Sequence, residues 1–156
     1  MNDFYGIKLP EYAIIYAKDN DGKILFVRQY QHALGSVSLI LPTGSLEEGE
    51  QPLKAARQEL LEETGYTAGI WQSVGSFVVD GNKGCTKSHF FIAKGLRKVA
   101  EPVVDDMEES KIVFVSDESV IRSVLGGEIS TLASASLAAI ATNPYMLTLL
   151  NGDTKR

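Results

Sequence analysis

Gly44, Glu50, Glu59, Glu62, Glu63 and Gly65 stand at intervals that constrain this chain more than any other feature of it. Between them, Gln51 to Thr64 reads QPLKAARQELLEET, rich in helix formers, with Pro52 near its start and Gly65 just past its end. Proline suits the first helical turn and glycine the left-handed residue that ends one, so the spacing predicts a helix over 51–64. At about 100° per residue, Glu59, Glu62 and Glu63 share roughly one third of the circumference. Leu53, Ala56 and Leu60 form an adjoining apolar stripe, so one face can pack while its neighbour concentrates negative charge.

Like charges at i, i+4 destabilise an isolated helix by a few tenths of a kcal/mol. Three carboxylates beside a buried stripe therefore call for a cation, and a hard divalent ion with oxygen ligands is the natural one. Mg²⁺ commonly takes one or two protein carboxylates and completes its octahedron with water and phosphate oxygens. A run such as ELLEE on its own is usually a solvated helix face. The glycine frame changes the balance: at average frequencies of about 6% per residue, chance would match all six positions with odds on the order of one in a hundred thousand.

The stretch GSLEEGEQPLKAARQELLEETGY resembles a Nudix box, Gx5Ex7REUxEExGU with U a bulky aliphatic residue. Gly44, Glu50, Glu59, Leu60, Glu62, Glu63 and Gly65 fit it directly. Tyr66 replaces the last aliphatic residue, a mild change, and Gln58 stands where the family places its arginine. Arg57 is rotated by about 100° from that position and points away from the carboxylates. Gln58 lies one turn before Glu62, within reach of a hydrogen bond but without the positive charge.

The resemblance implies an α/β Nudix fold, an α/β/α sandwich with a mixed β-sheet, spanning residues 1–156 as one domain. It also implies hydrolysis of a nucleoside diphosphate linked to another moiety, with Mg²⁺ (or Mn²⁺) as cofactor. Glu59, Glu62 and Glu63 are the implied metal ligands, with Thr43 contributing its carbonyl. Glu62 and Glu63 are also candidates for catalysis. Gly44 is a candidate substrate contact that would allow a tight turn and close approach of the backbone to metal or phosphate, whereas Glu50, just ahead of the helix, reads as structural near the positive dipole end.

Flanking segments narrow the family. YAIIYA (Tyr12 to Ala17) and KILFVRQY (Lys23 to Tyr30) read as strands around the turn signal Asp19, Asn20, Asp21, Gly22. VRQY, a short loop, LILPTG and then the box resemble the ADP-ribose pyrophosphatase branch, over about Tyr12 to Leu137. Gln31 and Ile40 stand where that branch places an arginine and a glutamate. Arg28 and His32 are the other candidate substrate contacts. In the acidic run EPVVDDMEES, alignment with the branch makes Glu108 the candidate catalytic base, with Glu109 as alternate. His89, alone in an apolar strand, reads as a satisfied partly buried residue without a catalytic role.

SDESVIRSVLGG fits a short helix begun by Ser116 or Asp117, and STLASASLAAIATNPYMLTLL an alanine-rich helix interrupted at Asn143 and Pro144. With 156 residues, 44% hydrophobic, the chain suits a single core. Its net charge of −5, without a basic cluster, argues against nucleic acid as partner. No apolar run reaches the roughly 18 residues of a membrane span, no signal-peptide pattern opens the chain, and the lone Cys85 fits a reducing compartment, so the expected location is cytoplasmic. The expected partner is a small-molecule nucleotide. The branch often dimerises through an extra N-terminal sheet, for which about ten residues leave little room, and a homodimer stays open.

Three functional readings follow. The first is hydrolysis of a nucleoside diphosphate sugar, ADP-ribose foremost, to a nucleoside monophosphate and a sugar phosphate. The second is pyrophosphate release from nucleoside triphosphates, and the third is a Nudix-fold nucleotide-sugar binding module without turnover.

Overall fold

The central strands are continuous runs of buried apolar residues, and that pattern decides the architecture, because both faces of such a sheet must be covered. The computed structural model describes residues 6–103 and 110–152. In chain order the elements are β1 (Tyr12–Lys18), β2 (Ile24–Gln31), β3 (Ser36–Ile40), β4 (Thr43–Ser45), α1 (Pro52–Thr64), β5 (Tyr66–Val78) and β6 (Lys87–Lys98). They continue with β7 (Lys111–Val115), α2 (Asp117–Leu125), α3 (Leu132–Thr142) and α4 (Pro144–Leu150).

One seven-stranded sheet runs β3-β2-β1-β6-β5, with β4 on β1 and β7 on β2. The β1–β6 pair is parallel and the others are antiparallel, so the sheet is mixed. Ala13, Ile15 and Ala17 of β1 pack with Leu25, Phe91 and Ala93 beneath Ala56 and Leu60 of α1. Ile14 and Tyr16 pack on the other face with Phe26, Phe90 and Ile92 against Val120 of α2 and Leu137, Ala138 and Ala141 of α3. Helices thus cover both faces, the α/β/α sandwich expected from the box, and β1 reads as continuous apolar sequence because both its faces are buried.

β1 and β2 stay paired only near their turn, at Ala17–Leu25 and Lys18–Ile24. Beyond it they part, and β3 and β4 fill the gap. β3 follows β2 from Gln31–Ser36 to Val27–Ile40, and after Leu41 and Pro42 the same chain follows β1 as β4, with Ile14 opposite Thr43 and Ala13 opposite Gly44. The Ile15 N–H donates to the Pro42 carbonyl at 3.0 Å and bridges the crossing. β3 and β4 take up SVSLI and TGS, to which the sequence pattern assigns no strand. Strands of five and three residues that change neighbours midway leave too short a pattern to register as strand.

α1 begins one residue inside the expected span and ends at Gly65, whose φ of 75° is left-handed. The Gly65 N–H donates to the Leu61 carbonyl, and its own carbonyl accepts from Val99 and Ala100. A Cβ here would lie 2.1 Å from the Ala100 carbonyl oxygen. Strain at φ and the backbone clash act together, so Gly65→Ala is expected to lower unfolding free energy by about 2 kcal/mol or more, as read by denaturant titration.

Candidate functional site

α1 carries Glu59 and Glu63 on the side that meets β4. The approach is close because residue 44 lacks a side chain: a Cβ on Gly44 would lie 1.8 Å from Glu59 Cδ. Gly44 lies in a strand and its φ is not positive, so its role is space for Glu59 rather than the tight turn expected from sequence. Beside it, the Thr43 N–H donates to Glu63 Oε2 at 3.1 Å, and the Thr43 hydroxyl donates to the Leu41 carbonyl at 2.7 Å. Thr43, Gly44, Glu59 and Glu63 therefore form one wall.

Its electrostatics are unfavourable to charge. Burial, offset in part by the Thr43 N–H and increased by repulsion from Glu59, raises the Glu63 carboxyl from 4.5 to about 7. Burial, then the charges of Glu62 and Glu50, pushes Glu59 above the usual carboxylate range. Glu62 is exposed, and its Oε1 accepts from Gln58 Nε2 at 3.0 Å, the i, i+4 contact that the sequence spacing indicates. Arg57 turns away, its guanidinium 5.8 Å from the centre of the Trp71 ring of β5.

Among the described residues no three Asp, Glu, His or Cys side chains converge into a ready-made cage. Two carboxylates with adjoining backbone are the donor set that Mg²⁺ commonly takes. Burial is the main reason both carboxyls are raised, and a divalent cation between Glu59 and Glu63 would supply the counter-charge they lack, so the residues present fit such an ion. Glu50 braces the entrance to α1. It accepts from the Glu47 N–H at 3.2 Å and pairs with Lys54 at 2.9 Å, and the Lys54 bond holds its carboxyl below the usual range. α1 has no side-chain cap hydrogen bond at Gln51, so the anion one residue earlier is well placed for the positive helix end.

The other sequence candidates lie elsewhere. Arg28 is exposed and follows Ile24 and Phe26 on the face of β2 that points toward α2 and α3, away from α1. There it lines a cavity with Val37, Ser38, Leu39, Val113 and Glu128. His32 sits in the turn after β2, its ring edge-on to Tyr30 at 5.2 Å. That is about 13 Å beyond Arg28 along an extended chain. Glu108 and Glu109 lie outside the described residues. The sequence reading missed the Thr43 amide as the partner of Glu63, since every residue except proline carries that donor and nothing in the sequence singles it out.

Without metal, the folded chain holds a proton on Glu63 that the unfolded chain releases above about 4.5. Stability tied to this proton is fully present below that pH and is lost as pH rises through about 7. The loss amounts to roughly 3 kcal/mol at most. The metal-free protein's denaturation midpoint is therefore expected to fall between pH 5 and pH 8, and Glu63→Gln to flatten that slope.

Comparison with known proteins points to one family. The NUDIX domain family model matches residues 8–129. An ADP-ribose pyrophosphatase of Bacillus subtilis (strain 168) is 31% identical over 124 residues, covering 79% of this chain and 67% of that protein. An ADP-ribose pyrophosphatase of Mycobacterium tuberculosis (strain ATCC 25618 / H37Rv) is 33% identical over 129 residues, covering 81% of this chain and 62% of that protein. The chain thus spans about two thirds of the length of these relatives. The crystal structure of an ADP compounds hydrolase superposes with a TM-score of 0.74 at 18% identity, covering 94% of this chain and 75% of that one, and shares the fold. With the box residues gathered at the β4–α1 wall and the family model spanning most of the sequence, the chain belongs to the Nudix family, on its ADP-ribose pyrophosphatase branch.

Proposed function

We propose that this protein is a Mg²⁺-dependent hydrolase of nucleoside diphosphate sugars, ADP-ribose foremost, releasing a nucleoside monophosphate and a sugar phosphate. The observation that carries the reading is the placement of Glu59 and Glu63, both with raised carboxyls, against the Thr43–Gly44 backbone. The names of the two bacterial relatives support the substrate. Mn²⁺ is the alternative ion on the same oxygen donors.

Bound there, a divalent cation would neutralise diphosphate oxygens and lower the pKa of a water. The protein's own part begins with Glu59 and Glu63, which would hold the ion, Glu63 being oriented by the Thr43 N–H. Glu62, held by Gln58 outside that wall, is exposed to solvent, where water or substrate can reach it. Gln58 orients it by one neutral hydrogen bond, roughly half as strong as a charge-assisted one, and leaves the anionic cluster uncompensated. A Glu108 base completes the proposal.

The test is product chromatography with Mg²⁺ against ADP-ribose, other nucleoside diphosphate sugars and nucleoside triphosphates. AMP plus ribose phosphate from ADP-ribose, lost by at least a hundredfold in Glu63→Gln, is the expected result. A nucleoside monophosphate plus pyrophosphate assigns the triphosphate reading instead, and ligand-induced stabilisation without turnover assigns the binding module. Gln58→Arg is expected to raise kcat several-fold, and an unchanged rate shows that the missing charge does not limit the site. Glu108→Gln is expected to lower kcat at least tenfold, and wild-type activity removes Glu108 from the mechanism.

A further inference from the structure

On the α1 face of the sheet, two strands away from Gly44, three polar side chains are joined in series. The Ser76 hydroxyl is 2.7 Å from His89 Nδ1, and His89 Nε2 is 2.7 Å from Glu11 Oε2. An ionised carboxylate only accepts, so the ring proton belongs on Nε2, and Nδ1 is left to accept the Ser76 proton. The His89 side chain is 12% exposed, while Ser76 is open to solvent.

The sheet departs from regularity to make this contact. β5 and β6 set Ser73 opposite Phe91 but Gly75 opposite Phe90, so Val74 is an extra residue in a bulge, with Gly75 at φ 151°. Without the bulge Ser76 would fall opposite Ser88 and face the other side of the sheet, because a slip of one residue inverts every side chain. With it, Ser76 stands opposite His89. His89 is opposite Ala13 of β1, which brings Glu11, two residues earlier on the same face, to the ring.

Lys87 precedes His89 by two residues on that face, its Nζ 3.8 Å from Glu11 Oε1. A groove of about 850 Å³ has Glu11 and Lys87 in its wall, together with Val78 and the acids Glu47, Glu48 and Glu50 of the loop ahead of α1. A nucleophile hydrogen-bonded to a base, and a base oriented by a third group, are the parts that nucleophilic catalysis uses.

We propose that Ser76, His89 and Glu11 form a second reactive site, separate from the carboxylate wall, that transfers the acyl group of small activated esters to water. Ser76 Oγ attacks the ester carbonyl carbon and forms the new C–O bond, and its proton passes to His89 Nδ1. The carbonyl π electrons move to oxygen. When they return, the bond to the leaving group breaks, and His89 gives its proton to the departing oxygen. Water then repeats the sequence on the acyl-serine, with His89 as base, and releases the carboxylic acid. Glu11 touches no reacting atom. It is a positioning residue that fixes the ring and balances the charge that the ring gains.

The test is covalent labelling of the intact protein with a fluorophosphonate, read by intact mass and peptide mapping. Attack by Oγ forms an O–P bond and expels fluoride. One adduct on Ser76 is expected, absent in Ser76→Ala and formed at least tenfold more slowly in His89→Gln. Glu11→Ala is expected to slow labelling about tenfold, with Glu11→Asp recovering part of the rate. p-Nitrophenyl acetate is expected to release a burst of p-nitrophenol equal to the protein concentration. A wild-type protein that carries no adduct on Ser76 overturns the proposal, as does a labelling rate unchanged in His89→Gln.

Discussion

Glu59 lying over a residue without a side chain is the contact on which the rest of the carboxylate wall depends. A methyl group at position 44 would overlap the Glu59 carboxyl carbon, and the Glu59 side chain would have to swing out of its place over β4. Beneath it, Ala56 and Leu60 rest on Ala13, Ile15, Ala17 and Ala93. The small residues of this layer have the same purpose as Gly44. They let a helix sit low enough on the sheet for two acids to be partly buried, and burial is what prepares them for a cation.

Much of this was legible in the sequence because it rests on local rules. Pro52 and Gly65 marked the ends of α1, the period of 3.6 put Glu59 and Glu63 on one side, and Gln58 and Glu62 met as their spacing required. Asp19 caps its own turn by accepting from the Asp21 and Lys23 N–H groups, and Asn143 separates α3 from α4 by capping the second. What escaped depends on chain partners distant in sequence. The switch of neighbours between β3 and β4, and the amide that holds Glu63, follow from where β1 and β2 part, and no window of residues records that.

The same division explains why Arg28 was hard to place. Reading VRQY gives alternation along β2 but does not say which face α1 will cover, and the structure puts Arg28 with Ile24 and Phe26 on the opposite one. His32 lies further along, where the hairpin turns. His89 read as a satisfied residue, and its two hydrogen bonds agree with that. The identity of its partners, Ser76 and Glu11, depends on a bulge and on a parallel pairing that only the folded sheet reveals.

The shared stretch from Ser36 to Ser45 has a consequence for how such a chain can diversify. It serves β2 as β3 and β1 as β4, so the spacing between Val37 and Gly44 is locked at both ends by different neighbours. Insertion or deletion of one residue there would turn Thr43 and Gly44 to the wrong face of the sheet, and α1 would lose its seat. Length variation is tolerated instead at the His32–Gly35 turn, outside both registers. A lineage built on this scaffold can therefore lengthen and recompose the hairpin tip freely, while the ten residues behind it evolve by substitution alone.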